Sequence, residues 1–451
     1  MTRRELLRVM AAAGLGAPFA SKVVAQESEH AAPDGKTKEL QSMTVRERPR
    51  YPAELRGGRV IQPERPLDVI HDTDVLVVGG GPAGFAAAVS AARAGAKTCL
   101  VERYGYFGGL WTGGLVLLVI STHAKENGER VKVMRGIGDE LVERVNKIGG
   151  AINQSPDKFN PTTDPEATKY MMDEMIGECG AKVFLHSWVA DVIMEGGAVR
   201  GAVIESKAGR QAILAKVVVD ASGDGDVFAA AGAEHEQRLH AIGLVHRVGN
   251  FDRADREKLK AAGITKLGGP EPEPSARWIN LRGPSTDNLD IGELTRLEME
   301  HRRSIWERVQ KLRKTPGGEA LFLLQTAPQL GVRTSRLLAG VHQLTFKDSR
   351  EGKKFPDAIG VGGAQGANHV GWPIPYGALL PKKLDNLLAA GRCISCDQKL
   401  IEDMRLIAAC LITGHGAGAA AAVAVKSGCR PRDVDVSKVQ ALLREQGAYL
   451  G

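Results

Sequence analysis

The sequence predicts an α/β fold built around a parallel sheet, with a small antiparallel meander and a second, α+β region. Three observations predict it. A strand, a glycine-rich turn, a helix and a second strand follow one another over residues 73–103, three apolar runs separated by glycine turns occupy 188–219, and an alanine-rich segment begins near 413. Strands that alternate with helices are typical of α/β units, and closely spaced strands are typical of a meander.

Composition sets limits on the class of protein. The chain has 451 residues, 43% hydrophobic and 25% charged, which is more than one core usually holds, so two domains are expected. The net charge of +7 decreases without the basic N-terminus, and no aromatic residues are interleaved with basic ones, so no nucleic-acid binding is expected. No apolar run long enough to span a bilayer is expected after the N-terminus, which predicts a mature chain without a transmembrane anchor.

The first 25 residues predict an export signal. The tandem Arg3 and Arg4 resemble a twin-arginine signal, and a short apolar region follows, with a small-residue cleavage site that ends at Ala25. The alternative is a disordered basic N-terminus. Residues 26–66 are polar, contain several prolines and predict a linker or arm. We therefore expect a periplasmic or secreted protein.

Residues 73–103 carry the most specific pattern in the chain. Residues 74–78 form a short apolar run that predicts a buried strand, and Gly79, Gly81 and Gly84 complete a G-x-G-x-x-G pattern. The first glycine permits a tight turn, the second lets a pyrophosphate approach the backbone, and the third lets the next helix pack closely on the sheet. This pattern predicts a Rossmann-type dinucleotide site.

The residues after the glycines complete this unit. An alanine-rich helix is predicted from Pro82 to Ala94, with its free N–H groups directed at phosphates, and a second strand from Lys97 to Val101. Glu102 follows, 23 residues after Gly79, close to the spacing of about 20 for an acid that holds a ribose hydroxyl. The alternative, a glycine-rich turn in another α/β protein, does not explain this spacing.

Two further segments indicate which dinucleotide binds. A glycine-dense loop covers 104–114, as a flavin requires because its ribityl chain and rings pass close to the backbone. Residues 384–392 predict a turn, a buried strand and a glycine, and 413–418 are predicted to open the alanine-rich helix. A helix start beneath a flavin stabilises the negative N1–C2=O edge of the reduced ring. These segments predict the two halves of one FAD site.

The meander is followed by a polar turn. Strands are predicted over 188–193, 198–205 and 212–219, and 220–226 contain three aspartates. The later glutamate of a calcium-binding EF-hand is missing, so no metal site is expected.

With these segments in place, the chain resembles the FAD-dependent oxidoreductase family with a glutathione-reductase-type flavin domain. This group is related to the flavin part of heterodisulfide reductase and, distantly, to fumarate-reductase flavoproteins. The resemblance runs from about residue 70 to the C-terminus. It implies a Rossmann-type FAD domain with an antiparallel β-meander at 67–234 and 376–451, and an α+β substrate domain at 235–375. The ferredoxin-type cysteine clusters that accompany the flavin part of heterodisulfide reductase are absent from the sequence, so no iron–sulfur cluster is expected.

The fingerprint and the resemblance together imply the cofactor contacts. The start of the meander would reach the adenine, the polar turn would cover the dinucleotide, and an arginine would precede the last flavin helix. The residues expected to bind FAD are Gly79, Gly81, Pro82, Ala83, Gly84, Glu102, Arg103, Gly108, Gly109, Thr112, Val189, Ala221, Ser222, Gly223, Asp224, Gly391, Arg392, Arg405 and Gly416.

The catalytic candidates are one arginine and three histidines. The resemblance implies an arginine pair in GVRTSRLLAG, of which Arg336 is the candidate to hold a carboxylate or oxyanion, and the alternative is a structural salt bridge. His342 and His369 are candidate proton carriers, although an isolated histidine is often structural. His415 is expected at the N1–C2=O edge of the flavin, with helix capping as the alternative.

Cys393 and Cys396 form a C-x-x-C pair. A periplasmic location would permit a redox dithiol. The same segment matches a strand ending in the resembled family, where the first cysteine is common, so Cys393 is also explained without redox chemistry.

The sequence thus predicts an FAD-dependent oxidoreductase that transfers a hydride between a small organic substrate and flavin N5. The alternatives are a fumarate-reductase-type alkene reductase and a flavin electron-transfer subunit of a complex. Residues 360–366 resemble a second fingerprint, but the last glycine is one residue late, so a loop is predicted. Electrons are therefore expected from the substrate itself or exchanged with a protein or quinone partner.

Overall fold

The computed structural model describes residues 51–153, 160–363 and 369–451. The predicted export signal, 1–25, and residues 26–50 of the predicted linker lie outside this part of the chain. The chain divides into two compact units at Pro66 and Leu67. In the first unit the described residues contain an antiparallel hairpin with a Gly57-Gly58 turn, where an arm was expected.

The strands of the described residues are short, apart from those at the centres of the two larger sheets. In chain order they are β1 Glu54–Arg56, β2 Arg59–Ile61, β3 Val69–Val78, β4 Thr98–Val101, β5 His123–Glu126, β6 Glu129–Lys132, β7 Ala151–Asn153, β8 Pro161–Thr163, β9 Lys182–Phe184, β10 Trp188–Glu195, β11 Ala198–Ser206, β12 Gly209–Asp220, β13 His235–Gln237, β14 His240–Gly249, β15 Gly269–Pro270, β16 Arg277–Thr286, β17 Phe322–Thr326, β18 Gly331–Val332, β19 Arg336–Leu338, β20 Ala358–Gly362, β21 Trp372–Pro375 and β22 Leu387–Ala389.

Helices range from one turn to six turns in length. In chain order they are α1 Pro82–Arg93, α2 Ile137–Lys147, α3 Pro165–Glu178, α4 Asp226–Ala230, α5 Arg256–Ala261, α6 Ile291–Arg313, α7 Phe346–Glu351, α8 Ile401–Met404, α9 Ile407–Ser427 and α10 Val436–Glu445.

The second unit, Leu67–Gly451, is organised around a seven-stranded sheet. Its order is β10-β11-β12-β3-β4-β9, and β22 pairs with the end of β12. The pairs among β12, β3, β4, β9 and β22 are parallel, whereas β10, β11 and β12 form an antiparallel meander. The central strands β3 and β12 are apolar and buried toward their carboxyl ends, at residues 75–78 and 217–219, where both sheet faces are covered. The predicted α/β class, with a Rossmann-type sheet and a meander, is confirmed.

Helices α1 and α9 pack against each other at backbone distance. A Cβ on Gly414 would lie 2.0 Å from the carbonyl oxygen of Ala83, and a Cβ on Gly418 would lie 2.2 Å from that of Ala87. The prediction that 413–418 open a helix is therefore wrong, because α9 already begins at Ile407. These glycines serve a helix crossing rather than a turn.

Helix α9 contradicts the expectation that no apolar run after the N-terminus is long enough to span a bilayer. It is long and apolar enough to span a bilayer, the one such helix among the described residues, and the protein interior buries an 18-residue stretch of it completely. Only its carboxyl end, at Lys426 and Ser427, is exposed. Its composition therefore reflects a position in the protein core.

A second sheet lies beside the first in the fold. It has the order β15-β16-β14-β17, with β18 also paired to β14, and all of its pairs are antiparallel. Helix α6 covers it through Leu297, Ile305 and Val309. The following strands β20 and β21 join the core of the first sheet instead. Residues 360–362, predicted as part of a loop, belong to β20, and 364–368 lie outside the described residues.

Candidate functional site

A cleft of about 410 Å³ opens where the two sheets meet. One wall comes from residues that follow β3, β4, β12 and β22, and the other comes from β14, β16 and β18. Ligands of open α/β sheets bind outside the carboxyl ends of the strands, so this cleft is the candidate site.

The glycine turn after β3 shapes the first wall. Gly79 has a φ of +98°, and a Cβ on Gly84 would lie 1.7 Å from the Gly79 carbonyl oxygen. At Gly81 a Cβ would meet only the Cα of Gly109, at 3.9 Å, on the side of the cleft. Helix α1 begins here without a side-chain cap, so its first N–H groups are free to bind an anion.

Glu102 is held at the end of β4 by two backbone donors. Its Oε2 accepts from the N–H of Gly80 at 2.6 Å, and its Oε1 accepts from the N–H of Tyr104 at 2.8 Å. Burial raises the pKa of this carboxyl, and the two hydrogen bonds oppose that rise. Glu102 faces both the cleft and a smaller pocket beyond it.

The smaller pocket extends the cleft along the start of the meander. Val189 and Trp188 line it, as does Arg103, whose guanidinium lies 4.8 Å from the Trp188 ring centroid. Val189 is thus close to Glu102, at the position where the resemblance implies an adenine.

Arg392 offers an unused donor to the cleft. Its Nη2 lies 2.9 Å from Oδ1 of Asp224, whereas its Nη1 is buried and has no partner among the described residues. Next to it, Gly223 has a φ of +81°, and a Cβ there would lie 2.7 Å from Arg392 Nε. A buried, unpartnered guanidinium nitrogen at a cleft suits a phosphate group.

The amino end of α9 reaches the same cleft. Leu406, Ile407 and Cys410 line it, and the helix has no side-chain cap. The positive end of the helix dipole of α9 therefore faces the site, as was expected of the alanine-rich helix. This end of the helix lies about two turns before His415 in the chain. The two uncapped helix starts and Arg392 together fit FAD, whose phosphates and flavin edge both carry negative charge.

The predicted cofactor residues fall into three groups. Asp224, Gly84, Gly108 and Thr112 support the wall from behind: Thr112, for example, donates to the carbonyl of Phe107 at 2.5 Å. Gly416 stands apart from these groups and from its predicted role, because it lies inside α9, where a Cβ would meet the side chain of Ile359 at 2.6 Å. Val189 lines the smaller pocket. Those that line the cleft are Gly79, Gly81, Pro82, Ala83, Glu102, Arg103, Gly109, Ala221, Ser222, Gly223, Gly391, Arg392 and Arg405.

The position of His415 differs from the prediction. It lies inside α9, away from the cleft lining, and its Nε2 lies 2.8 Å from Oε1 of Gln446. Burial lowers its pKa to about 4, and the hydrogen bond to Gln446 opposes this shift. The ring is therefore neutral at neutral pH, and the protonated imidazole expected at the flavin edge is not available.

Arg336, His342 and His369 also lie outside the cleft lining. Arg336 donates to Oδ1 of Asp226 at 3.1 Å and also to the backbone carbonyl of Asp224. The contact with Asp226 is the structural salt bridge that was the alternative to a substrate-binding role for this arginine. The ring of His342 packs edge-on against Phe355, and His369 is exposed beside β5. Arg336 begins β19, whereas Arg333 lies between the strands and a bend at Ser335 separates the two residues, so their side chains leave the backbone in different directions.

The structure brings other polar groups together in the cleft, with His240, Arg282 and Arg333 on the second wall and Glu402 in α8. His240 and Glu402 form a hydrogen-bonded pair, with 2.6 Å between Nε2 and Oε1, and Arg282 and Arg333 lie beside them. Sequence reasoning noted Arg333 only as the neighbour of Arg336 and missed the other three. Their positions in the chain form no local pattern that could have identified them.

The two C-x-x-C cysteines are free and buried. Burial raises the pKa of Cys393 and of Cys396 above that of an ordinary thiol, so neither is held as a reactive thiolate.

Comparisons with known proteins agree with this geometry. A family model described as FAD dependent oxidoreductase matches residues 74–443. A thiamine thiazole synthase of Methanococcus vannielii is 32% identical over 168 residues, which are 35% of this chain and 58% of that protein. A digeranylgeranylglycerophospholipid reductase of Methanoculleus marisnigri is 30% identical over 181 residues, 35% of this chain and 40% of that protein. The chain thus spans less than two thirds of either relative.

Among solved structures, a geranylgeranyl bacteriochlorophyll reductase-like protein of Thermoplasma acidophilum is similar to this chain. It has a TM-score of 0.43 and 16% identity over 84% of each chain. The expected kinship with the flavin part of heterodisulfide reductase stays a prediction. The family match covers most of the chain and includes both FAD-site halves, so the protein belongs to the FAD dependent oxidoreductase family, a family of flavoenzymes whose cofactor is FAD.

Proposed function

We propose that the protein transfers a hydride between a small organic substrate and FAD, and that His240 and Glu402 handle the accompanying proton. The observation that carries this proposal is the 2.6 Å contact between the imidazole on the second wall and the carboxylate of α8, in the same cleft as the FAD-binding glycines. When bound, FAD supplies a two-electron acceptor or donor at N5.

Four features of the cleft would hold the cofactor. The free N–H groups of α1 and the unpartnered Nη1 of Arg392 would bind the phosphates. The uncapped start of α9 at Ile407 would face the flavin edge that becomes negative on reduction. Glu102 would accept a hydrogen bond from a ribose hydroxyl.

Glu402 positions the imidazole of His240. Burial would raise the pKa of Glu402, but hydrogen bonds from Arg405 and His240 lower it to about 2. Because this carboxylate is ionised and can only accept, Nε2 of His240 must be the donor in their contact. With Nε2 donating to Glu402, Nδ1 is the atom that would take up the proton of a substrate O–H or N–H group as the neighbouring C–H bond loses its hydride. The Ala241 carbonyl oxygen, 3.3 Å from Nδ1, would accept a hydrogen bond from the protonated ring.

Two alternatives use the same cleft. In an alkene reductase the pair would donate the proton rather than accept it. In an electron-transfer protein the flavin would exchange electrons with a protein partner alone, and the enclosed cleft with its polar second wall would have no use. We also propose that the protein is exported and that a protein or quinone partner completes the electron balance.

Anaerobic mixing of the yellow holoprotein with a panel of small alcohols, amines and hydroxy acids tests the proposal. A member of the panel is expected to bleach the visible flavin absorbance, and His240→Ala should slow this bleaching. Reoxidation of reduced protein by activated alkenes alone would favour the alkene reductase. Reduction only by a protein partner would contradict the proposal.

A further inference from the structure

Three guanidinium groups from different parts of the chain line the cleft beside the His240–Glu402 pair. Arg282 lies in β16, Arg333 directly follows β18, and Arg405 precedes α9. Burial and then the positive charges of Arg405 and Arg282 lower the pKa of Arg333, so Arg333 lies near both of the other cations.

The protein supplies little negative charge to balance them. Glu402 contacts Arg405 and is also the partner of His240. In the described part of the chain, neither Arg282 nor Arg333 has a carboxylate oxygen within 4.0 Å. The side chain of Arg333 donates from Nη1 to the Ala241 carbonyl oxygen at 2.7 Å.

Unused hydrogen-bonding capacity surrounds these charges. The Nε of Arg405 is buried without a partner among the described residues and is therefore an unused donor at the cleft. Arg333 and Arg405 are both partly buried, and burial of a cation with an unsatisfied donor is costly unless an anion joins it.

The cofactor does not account for this cluster. The features that fit its phosphates, the start of α1 and Arg392, lie on the first wall, whereas Arg282 and Arg333 belong to the second sheet. The cluster lies beside the His240–Glu402 pair, where a substrate would meet both the proton carrier and the flavin.

We propose that the substrate is a small organic carboxylate whose anionic group binds between Arg333 and Arg282. This inference rests on the proposed function, since it names the substrate class of the same site. The planar guanidinium fork matches a carboxylate with two parallel hydrogen bonds. Arg405 shares its charge with Glu402 and closes the third side of the anion site.

Binding to the oxidised, FAD-loaded protein tests the inference without turnover. The probes are succinate, its uncharged diamide and inorganic phosphate, and the readouts are calorimetry and the visible flavin spectrum. Succinate is expected to bind saturably, the diamide is expected not to bind, and phosphate is expected to bind more weakly than succinate. Equal binding of succinate and the diamide, or tighter binding of phosphate, would overturn the carboxylate assignment.

Substitutions locate the site. Arg333→Gln and Arg282→Gln should each weaken succinate binding by roughly tenfold to a hundredfold, because each removes a charge-assisted hydrogen-bonding group. Arg333→Lys should restore part of the affinity, since it keeps the charge but loses the fork. Arg313→Gln, at the exposed end of α6, is the matched control and should bind like wild type. Unchanged affinity in both glutamine variants would overturn the inference.

Two controls keep the outcomes separate. The FAD content of each variant reports whether it has folded correctly. Because Arg282 is exposed to solvent, Arg282→Gln still tests the anion site if Arg333→Gln fails to fold. Carboxylate binding without flavin reduction by any substrate would contradict only the proposed function. Flavin reduction by neutral substrates, together with no carboxylate binding, would contradict only this inference.

Discussion

Nε2 of His240 lies 2.6 Å from Oε1 of Glu402, although 162 positions separate the two residues in the sequence. His240 begins β14 of the second sheet, and Glu402 lies in α8, which leads to α9, the helix whose amino end lines the cleft. This contact joins the two walls of the cleft and gives the site an ionised carboxylate behind an imidazole.

The first prediction concerns this pair. His240→Ala should slow flavin reduction by substrate by roughly a hundredfold to ten-thousandfold, the usual contribution of a general acid or base. Glu402→Gln should have a smaller effect, because the ring remains but loses its charged partner. Stopped-flow measurement of the flavin absorbance checks both rates. His369→Ala, an exposed position outside the cleft, should react like wild type, and an equal loss there would refute the assignment.

The second prediction concerns the crossing of α1 and α9. Gly418→Ala should lower the free energy of unfolding by about 1–3 kcal/mol, because the new Cβ would lie 2.2 Å from the Ala87 carbonyl oxygen. Gly177→Ala in α3 is the matched control, since a Cβ there meets nothing within 4 Å. That control should raise stability by about 0.5–1 kcal/mol. Urea unfolding measures both, and equal effects would contradict the close crossing.

The third prediction is a pH dependence of stability that arises from His415. Burial lowers its folded-state pKa to about 4, against 6.5 for an ordinary histidine. The unfolded chain therefore binds an extra proton between these values, so stability is lost as the pH falls through this window. At pH 5 the loss from this one group is about 2 kcal/mol.

His415→Gln isolates that contribution. The glutamine amide can donate to Gln446 but does not titrate, so the difference in unfolding free energy between pH 7 and pH 5 should shrink by about this amount. His123 and His246, whose pKa values burial also lowers to about 4, keep their own share in both proteins. An identical pH dependence in the variant would show that His415 is already charged in the folded protein.

The fourth prediction concerns Glu102. Glu102→Ala should weaken FAD binding by roughly tenfold to a hundredfold, because it leaves the N–H groups of Gly80 and Tyr104 without acceptors and loosens the glycine turn. Fluorescence titration of the apoprotein with FAD gives the Kd. Glu178→Ala, at the exposed end of α3, should leave that Kd unchanged. Wild-type affinity in Glu102→Ala would remove its cofactor role.

The fifth prediction concerns export. The double substitution Arg3→Lys and Arg4→Lys should keep the protein in the cytoplasm, because twin-arginine transport requires the arginine pair. Cell fractionation and N-terminal sequencing check the location and the expected mature start near Gln26. Processed double variant in the periplasm would contradict this route.

The two glycine-rich segments show which structural features a local sequence pattern can predict and which it cannot. The G-x-G-x-x-G unit could be interpreted from sequence because Gly79 and Gly84 contact each other across five positions, so its geometry is local. Gly414 and Gly418 also lie in a glycine-rich segment, but glycine is required there for a different reason. Their contacts are with Ala83 and Ala87, more than 300 positions away, and a helix start was therefore predicted where a helix crossing exists.

The sequence by itself determined the α/β class, the meander and the family's cofactor, because each depends on residues within one strand–turn–helix unit. The tertiary structure decided which side chains face the flavin. Arg333 lines the cleft while Arg336, three positions later, pairs with Asp226, and His240 meets Glu402 rather than any neighbour in sequence. Side-chain direction and long-range pairing follow from how the two sheets pack, and no local pattern records that packing.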